Sequence, residues 1–194
     1  MLVLASASPR RLELLTQAGY RPLVVPAHVD ETPDPARSPT DNAAHFAREK
    51  ALATQARHHG DVVLGADTIV TIGRELMGKP RDRADAERML RRLSGRMHQV
   101  VTCVYIPRVL TFPPVALSVS TSVIFRDIED AELSDYLDGD EWQDKAGAYA
   151  IQGRAAVFAQ AVVGSYSNVV GLPLCEVVEE LKVRGLAPRL GGQP

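Results

Sequence analysis

Residues 61 to 72 read DVVLGADTIVTI, a nearly continuous run of Val, Leu, Ala and Ile with Asp67 set in its middle. A strand with one wet face alternates apolar and polar residues, whereas a run that is apolar on both parities must be covered on both faces. The chain therefore has to supply helices for two sides of a sheet. The rest of the sequence meets that demand. Leu2–Ala5 reads as a strand, and Ser8-Pro9 then opens a helix carrying Leu12, Leu15 and Ala18, closed by Gly19. RPLVVPA (21–27) reads as a second strand, and the three prolines of DETPDPARSP (30–39) predict a loop. Ser38 with Asp41 three residues later predicts the cap of a long helix running to about His58. Asp82 caps a helix through Leu93, and HQVVTCVYI (98–106) and VALSVSTSVIFR (115–126) predict a hairpin. Asp127 is the expected cap of a short helix ending at Leu137. AYAIQG (148–153) and AAVFAQAVV (155–163) read as extended, and Pro173 opens a last helix to Arg184. The expected fold class is α/β, with a mixed central sheet flanked by helices.

The 194 residues fit one domain, residues 1–194, with room for two lobes. A formal net charge of −2 argues against broad binding to nucleic acid or to a membrane surface, while leaving room for a local basic cleft. Cys103 and Cys175 stand in no metal or redox spacing and are expected as reduced, mostly buried thiols. The apolar start is too short, and lacks a basic lead, for a signal peptide. The uncharged stretch Ala155–Cys175 is interrupted by Gln160, Gly164, Asn168, Gly171 and Pro173, so it does not read as a membrane span.

Asp67 is the strongest chemical clue. A carboxylate inside an apolar strand must meet a cation, a metal ion or hydrogen-bond donors, and catalytic carboxylates are often placed in this way. A purely structural ion pair is the plainer alternative. Lys50 lies on the apolar face formed by Ala43, Phe46, Ala47, Ala51 and Thr54. Taken alone it reads as a lysine snorkelling from the margin of the core. Arg10 and Arg11 occupy the first helical turn after SASP, where the helix dipole disfavours cations unless an anion compensates. Solvated arginines behind an ordinary Ser-Pro cap are the alternative. Lys79 in GKP lacks the glycine spacing of a Walker A loop, Glu31 stands in the Pro-rich loop, and His98 is expected to satisfy local backbone groups. Cations bind phosphate, and carboxylates hold a divalent metal or activate water; no Ser or Cys nucleophile with a base is apparent. The set suits metal-assisted hydrolysis of a phosphoanhydride.

The stretches LASASPRRLELL, DE (30–31), REKA (48–51), GADTIV (65–70), GKP (78–80), SGRMHQVVTCV, DKAGAYAIQG and GSYSNVVGLPL occur in order across nearly the whole chain. In this combination the sequence resembles the Maf family of nucleoside triphosphate pyrophosphatases. The resemblance implies an elongated, inosine triphosphatase-like fold with a substrate cleft between two lobes. It implies a cytoplasmic enzyme, commonly homodimeric, that splits a nucleoside triphosphate into monophosphate and pyrophosphate with a divalent cation (Mg²⁺, Mn²⁺ or Co²⁺). No nucleic acid polymer or membrane partner is implied. By position, Asp67 matches the proton acceptor, and Ser8, Arg11, Lys50 and Lys79 match the triphosphate-binding set. Glu31 with Asp67 would serve the metal. Arg10, Thr68 and Gln152 fall where base preference is set, and DKAGAYAIQG resembles the branch acting on dTTP and UTP. PRVLTFPPVA (107–116) and the tail from Ala187 match no motif. Two other readings stay open on sequence: a nucleotide-binding regulator of septum formation, and an inosine triphosphatase-like purine enzyme. The presence of Asp67 favours an enzyme over a binder.

Overall fold

The computed structural model describes residues 1–188. Seven strands run β1 (Leu2–Leu4), β2 (Leu23–Val24), β3 (Val62–Ile72), β4 (Glu75–Met77), β5 (Met97–Ile106), β6 (Val115–Phe125) and β7 (Ala159–Val163). Six helices are interspersed: α1 (Pro9–Gln17), α2 (Pro39–Gln55), α3 (Arg83–Leu93), α4 (Asp130–Leu137), α5 (Tyr166–Val170) and α6 (Leu174–Val183). The strand order is β2-β1-β3-β5-β6-β7, with β4 paired to β3. β1 is parallel to β2 and β3, whereas β4 on β3 and β7 on β6 are antiparallel, so the sheet is mixed as expected. No helix of the described residues is long and apolar enough to cross a membrane.

The chain forms two compact units. The first comprises Met1–Asp67, Thr102–Val119 and, of the described residues, those from Gly171 to 188; the second comprises Thr68–Val101 and Ser120–Val170. In the first unit, Val3, Ala5, Ala51 and Val63 form a buried cluster against which Val25, Ala27 and Tyr105 pack. Helix α2 turns Ala43, Phe46, Ala47, Ala51 and Thr54 inward, the face its spacing predicts, and the Ser38 hydroxyl caps it by accepting from the Asp41 amide at 3.1 Å. Gly19, at φ 83°, follows the last turn of α1 in the left-handed region that a helix C′ position requires. Within this unit Cys103 is buried, but Cys175 is exposed, against expectation: it lies on the outer face of α6, whose buried residues are Val177 and Leu181.

The second unit is built on Val70, Met77, Leu90, Leu93, Phe125 and Phe158 with the residues around them. Asp82 caps α3 through the Asp85 amide at 2.8 Å. The cap of α4 is Glu129 with Glu132, not Asp127: the two form a reciprocal capping box starting two residues later than predicted. Two strand expectations also need correction. Residues 148–153 form no strand: Gly147 and Ala148 take left-handed φ values of 71° and 62° in a 3₁₀ turn, and after extended Tyr149 the chain turns again at 151–153. Their apolar side chains are buried nonetheless, which explains the strand-like pattern. Of 155–163 only Ala159–Val163 is a strand, since Arg154–Phe158 winds into a 3₁₀ turn. Likewise β2 is confined to Leu23–Val24 of the predicted 21–27, a run flanked by Pro22 and Pro26.

His98 sits in this core: its Nε2 lies 2.8 Å from the Tyr149 hydroxyl, its ring stands edge-on to Phe125 and Tyr149, and the nearby Arg96 backbone interacts with it as the sequence suggests. Burial drives its pKa from 6.5 down to about 4. Between those values the unfolded chain binds a proton that the folded chain does not, so stability falls as pH drops through 6.5 and levels off below 4. Acidification across this window is expected to destabilise the wild type by roughly 2–3 kcal/mol more than His98→Gln. Urea unfolding of both proteins at neutral and acidic pH measures that difference, and equal losses would refute it.

Candidate active site

The site follows from the strand ends of the first unit. Parallel pairing sets Leu4 against Leu64, and the Ala5 amide donates to the Leu64 carbonyl at 2.9 Å. β1 then gives way to the loop 5–8 and the N-terminus of α1, while β3 continues to Asp67. Asp67 therefore lies beyond the carboxyl end of β1, the edge at which open α/β sheets bind ligands.

Across β3 lies α2. At Gly65 an added Cβ would stand 2.2 Å from the Ala47 carbonyl oxygen and 2.8 Å from the Ala51 nitrogen, so the helix packs directly on the strand where no side chain intervenes. That close approach delivers Lys50. Its Nζ lies 2.8 Å from Asp67 Oδ1 and 3.1 Å from Glu31 Oε2. Lys50 is only 8% exposed, which removes the snorkelling reading: the ammonium is held inside, between two carboxylates. The second oxygen of Asp67 takes no hydrogen bond from a described residue.

The SASPRR loop is wired differently from an ordinary Ser-Pro cap. Ser8 occupies the N-cap position with extended backbone, but its side chain makes no capping bond. The Ser6 hydroxyl takes over, accepting from the Ser8 amide at 3.2 Å and from Arg11 at 2.9 Å. Ser6 is a buried residue that the motif does not single out; its place two residues before the cap is the one signal of it in the sequence. Arg11 points inward, 9% exposed, with Nε donating to the Gly171 carbonyl at 2.9 Å. Burial lowers its pKa, the charge of Asp67 opposes this, Arg10 adds to the lowering, and Glu31 again opposes it. The first turn of α1 has no acidic residue. A helix N-terminus with an unused cap hydroxyl and a buried guanidinium in its first turn is suited to an anion.

Glu31, Lys50 and Asp67 are thus in direct contact, with Arg11 within electrostatic reach, and Arg10 stands half-exposed on the first turn of α1. Thr68, Lys79 and Gln152 belong to the second unit. There the Gly147 amide donates to the Gly78 carbonyl at 3.1 Å, tying the GKP loop to the segment leading to Gln152. Lys79 and Gln152 are exposed, and neither side chain bonds to another described residue.

Among the described residues no group of three or more His, Cys, Asp or Glu side chains could hold a metal ion alone. Glu31 Oε2 and Asp67 Oδ1 both converge on the Lys50 ammonium, so one oxygen of each carboxylate is committed to that lysine.

Comparison with known proteins identifies the family. Residues 1–184 match the family model described as Maf-like protein. A protein of Geobacter sulfurreducens named dTTP/UTP pyrophosphatase is 51% identical over 181 residues, covering 93% of this chain and 95% of the relative. Proteins of the same name from Paramagnetospirillum magneticum (48% over 192 residues, 97% and 99% covered) and Anaeromyxobacter dehalogenans (50% over 186 residues, 95% and 94% covered) are similar along their lengths. The chain belongs to the Maf family.

Proposed function

We propose that the protein hydrolyses dTTP and UTP, and modified pyrimidine nucleotides of the same shape, to the monophosphate and pyrophosphate. Non-standard nucleotides would thereby be cleared from the pool. The observation that carries this reading is the buried Lys50 ammonium shared by Asp67 and Glu31 beside the uncapped start of α1. The names of the similar proteins support the substrate class.

In this mechanism the Ser8 hydroxyl, Arg11, Lys50 and Lys79 bind the triphosphate and absorb charge developing on the phosphoryl oxygens and on the leaving pyrophosphate. Asp67 Oδ1 stays anchored on Lys50, and Oδ2 is the atom that orients and takes a proton from the water attacking the α-phosphorus. Glu31 and Asp67 would hold the divalent cation (Mg²⁺, Mn²⁺ or Co²⁺), which when bound supplies further neutralisation of phosphate charge. Arg10, Thr68 and Gln152 select the base. The family resemblance supports a cytoplasmic homodimer acting on free nucleotides, with neither nucleic acid polymer nor membrane as partner. A nucleotide panel with Mg²⁺ or Mn²⁺, resolving pyrophosphate from single phosphate release, tests the reading; no turnover of any triphosphate would leave a binder.

Base choice gives a sharper prediction. Thymine and uracil each present an N3–H donor beside carbonyl acceptors, and the Gln152 amide offers one acceptor and one donor to match. An ionised glutamate is acceptor-only and would repel O2 or O4 while suiting the two donors of guanine. Gln152→Glu is expected to lower the dTTP:GTP ratio of kcat/KM by roughly ten- to a hundredfold. An unchanged ratio would move base recognition away from Gln152.

A further inference from the structure

Gln152 stands on a turn whose construction is unusual for an exposed loop. On its upstream side the chain is forced through left-handed backbone at Asp144 (φ 56°), Gly147 (φ 71°) and Ala148 (φ 62°), conformations that non-glycine residues adopt only when their surroundings compel it. Ile151 is buried, and the Gly153 amide closes the turn on the Ala150 carbonyl at 3.0 Å. Downstream, one carboxylate takes two successive backbone amides, beside the Ala156 amide on the Gly153 carbonyl at 3.1 Å and the Arg154 guanidinium on Asp135. Glu141 accepts from the Arg154 amide at 2.8 Å on Oε2 and from the Ala155 amide at 3.1 Å on Oε1. The hydroxyl of Tyr136, itself buried, donates to the same Oε1 at 3.2 Å. The glycine that follows Gln152 is explained by the same group. An added Cβ at Gly153 would fall 2.1 Å from Glu141 Oε2 and 2.7 Å from Oε1, so the carboxylate occupies the space a side chain would need.

Among the described residues, the hydrogen bonds of this carboxylate go to the Arg154 and Ala155 amides, two and three residues past Gln152, and to a core hydroxyl. The Gln152 amide itself bonds to no described residue, so nothing but the turn's backbone fixes where it points. A base-reading amide loses discrimination when its position drifts, because donor and acceptor must meet the base edge together. We infer that Glu141 is a positioning residue for base selection: its carboxylate holds the Ile151–Gly153 turn so that the Gln152 amide is presented in one orientation. This rests on the reading of Gln152 as the base contact.

The test uses the full-length protein with Glu141→Ala, Glu141→Gln, Gln152→Ala and the Glu141→Ala/Gln152→Ala pair. kcat/KM is measured for dTTP, UTP, CTP and GTP, and hydrogen exchange is followed at the Arg154 and Ala155 amides. Glu141→Ala is expected to speed exchange at both amides and to lower the dTTP:GTP ratio by about tenfold, the scale of one misaligned hydrogen-bonding group. The loss should appear mainly as a higher KM for dTTP and UTP, with kcat little changed. Glu141→Gln, which keeps one acceptor, should fall in between and also serves if the alanine variant does not fold. In the Gln152→Ala background, removing Glu141 should alter the ratio no further, since two residues acting through one contact are not additive. A wild-type ratio in Glu141→Ala alongside a lost ratio in Gln152→Ala overturns the positioning role alone. An unchanged ratio in Gln152→Ala overturns the reading of Gln152, and with it any role of Glu141 in selection. An equal loss for all four nucleotides overturns the inference in favour of a merely structural carboxylate.

Discussion

Asp67→Asn is expected to cut turnover of dTTP by two orders of magnitude or more, while nucleotide binding survives. The substitution preserves shape and leaves an amide oxygen to accept from the Lys50 ammonium, which still has Glu31 as its second partner. What is removed is the negative charge and the basic oxygen beside the place where water must be deprotonated. General acid–base groups contribute about 10²–10⁴-fold, so the loss should appear in kcat more than in binding. The competing view makes the pair structural, and it predicts something different. Breaking a buried pair costs about 3–5 kcal/mol when a charge is stranded, so Asp67→Asn would then lose stability first and activity only as a consequence. Steady-state pyrophosphate release, nucleotide affinity and thermal melting on one preparation separate the two. A protein that melts like the wild type, binds dTTP and hydrolyses it at near-normal rate would remove Asp67 from the mechanism.

The sheet and the residues of the first unit were legible in sequence because each broke a local rule. A carboxylate in an apolar strand and a lysine on an apolar helix face are both expensive unless they meet, and they do meet. Lys50 alone pointed to snorkelling; only its partner, 17 positions along the chain, turns the same pattern into an internal ammonium. Ser8 was read correctly as a boundary but not in its bonding, because whether a hydroxyl caps its own helix or leaves the work to Ser6 depends on the side chain of Arg11 coming back from the next turn. The segment 148–153 departs from its strand-like pattern for a different reason. Its apolar residues are buried as a strand's would be, yet burial is imposed by turns at Gly147, Ala148 and Gly153, and left-handed alanine has no local signature. Glu141 carried no signal at all: a carboxylate twelve positions before the glycine whose Cβ space it fills looks like any surface acid until the turn is folded.

Gly65→Ala is expected to be strongly destabilising, although glycine offers no side chain to the chemistry. Its new Cβ would lie 2.2 Å from a backbone oxygen of α2, 2.8 Å from a backbone nitrogen and 2.9 Å from the Ala51 methyl. None of these can swing aside as a flexible side chain would, so the helix must lift from β3 or the strand must bend. Overpacking of this kind typically costs about 1–3 kcal/mol and occasionally more, and backbone contacts place Gly65 at the upper end. For a chain of this size about 3 kcal/mol corresponds to a fall in Tm on the order of 10 °C. Gly78→Ala, where an added Cβ meets nothing within 4 Å, serves as the thermal control and should melt like the wild type. The displacement has a second consequence. Lys50 reaches Asp67 only because α2 lies directly on β3, and a shift of even 1 Å at a catalytic contact can lower turnover by about a hundredfold. Gly65→Ala should therefore lose activity well below its melting temperature, while still folded by circular dichroism. Full activity in folded Gly65→Ala would show that the helix yields without moving Lys50, and that the close packing at Gly65 is not what aligns the pair.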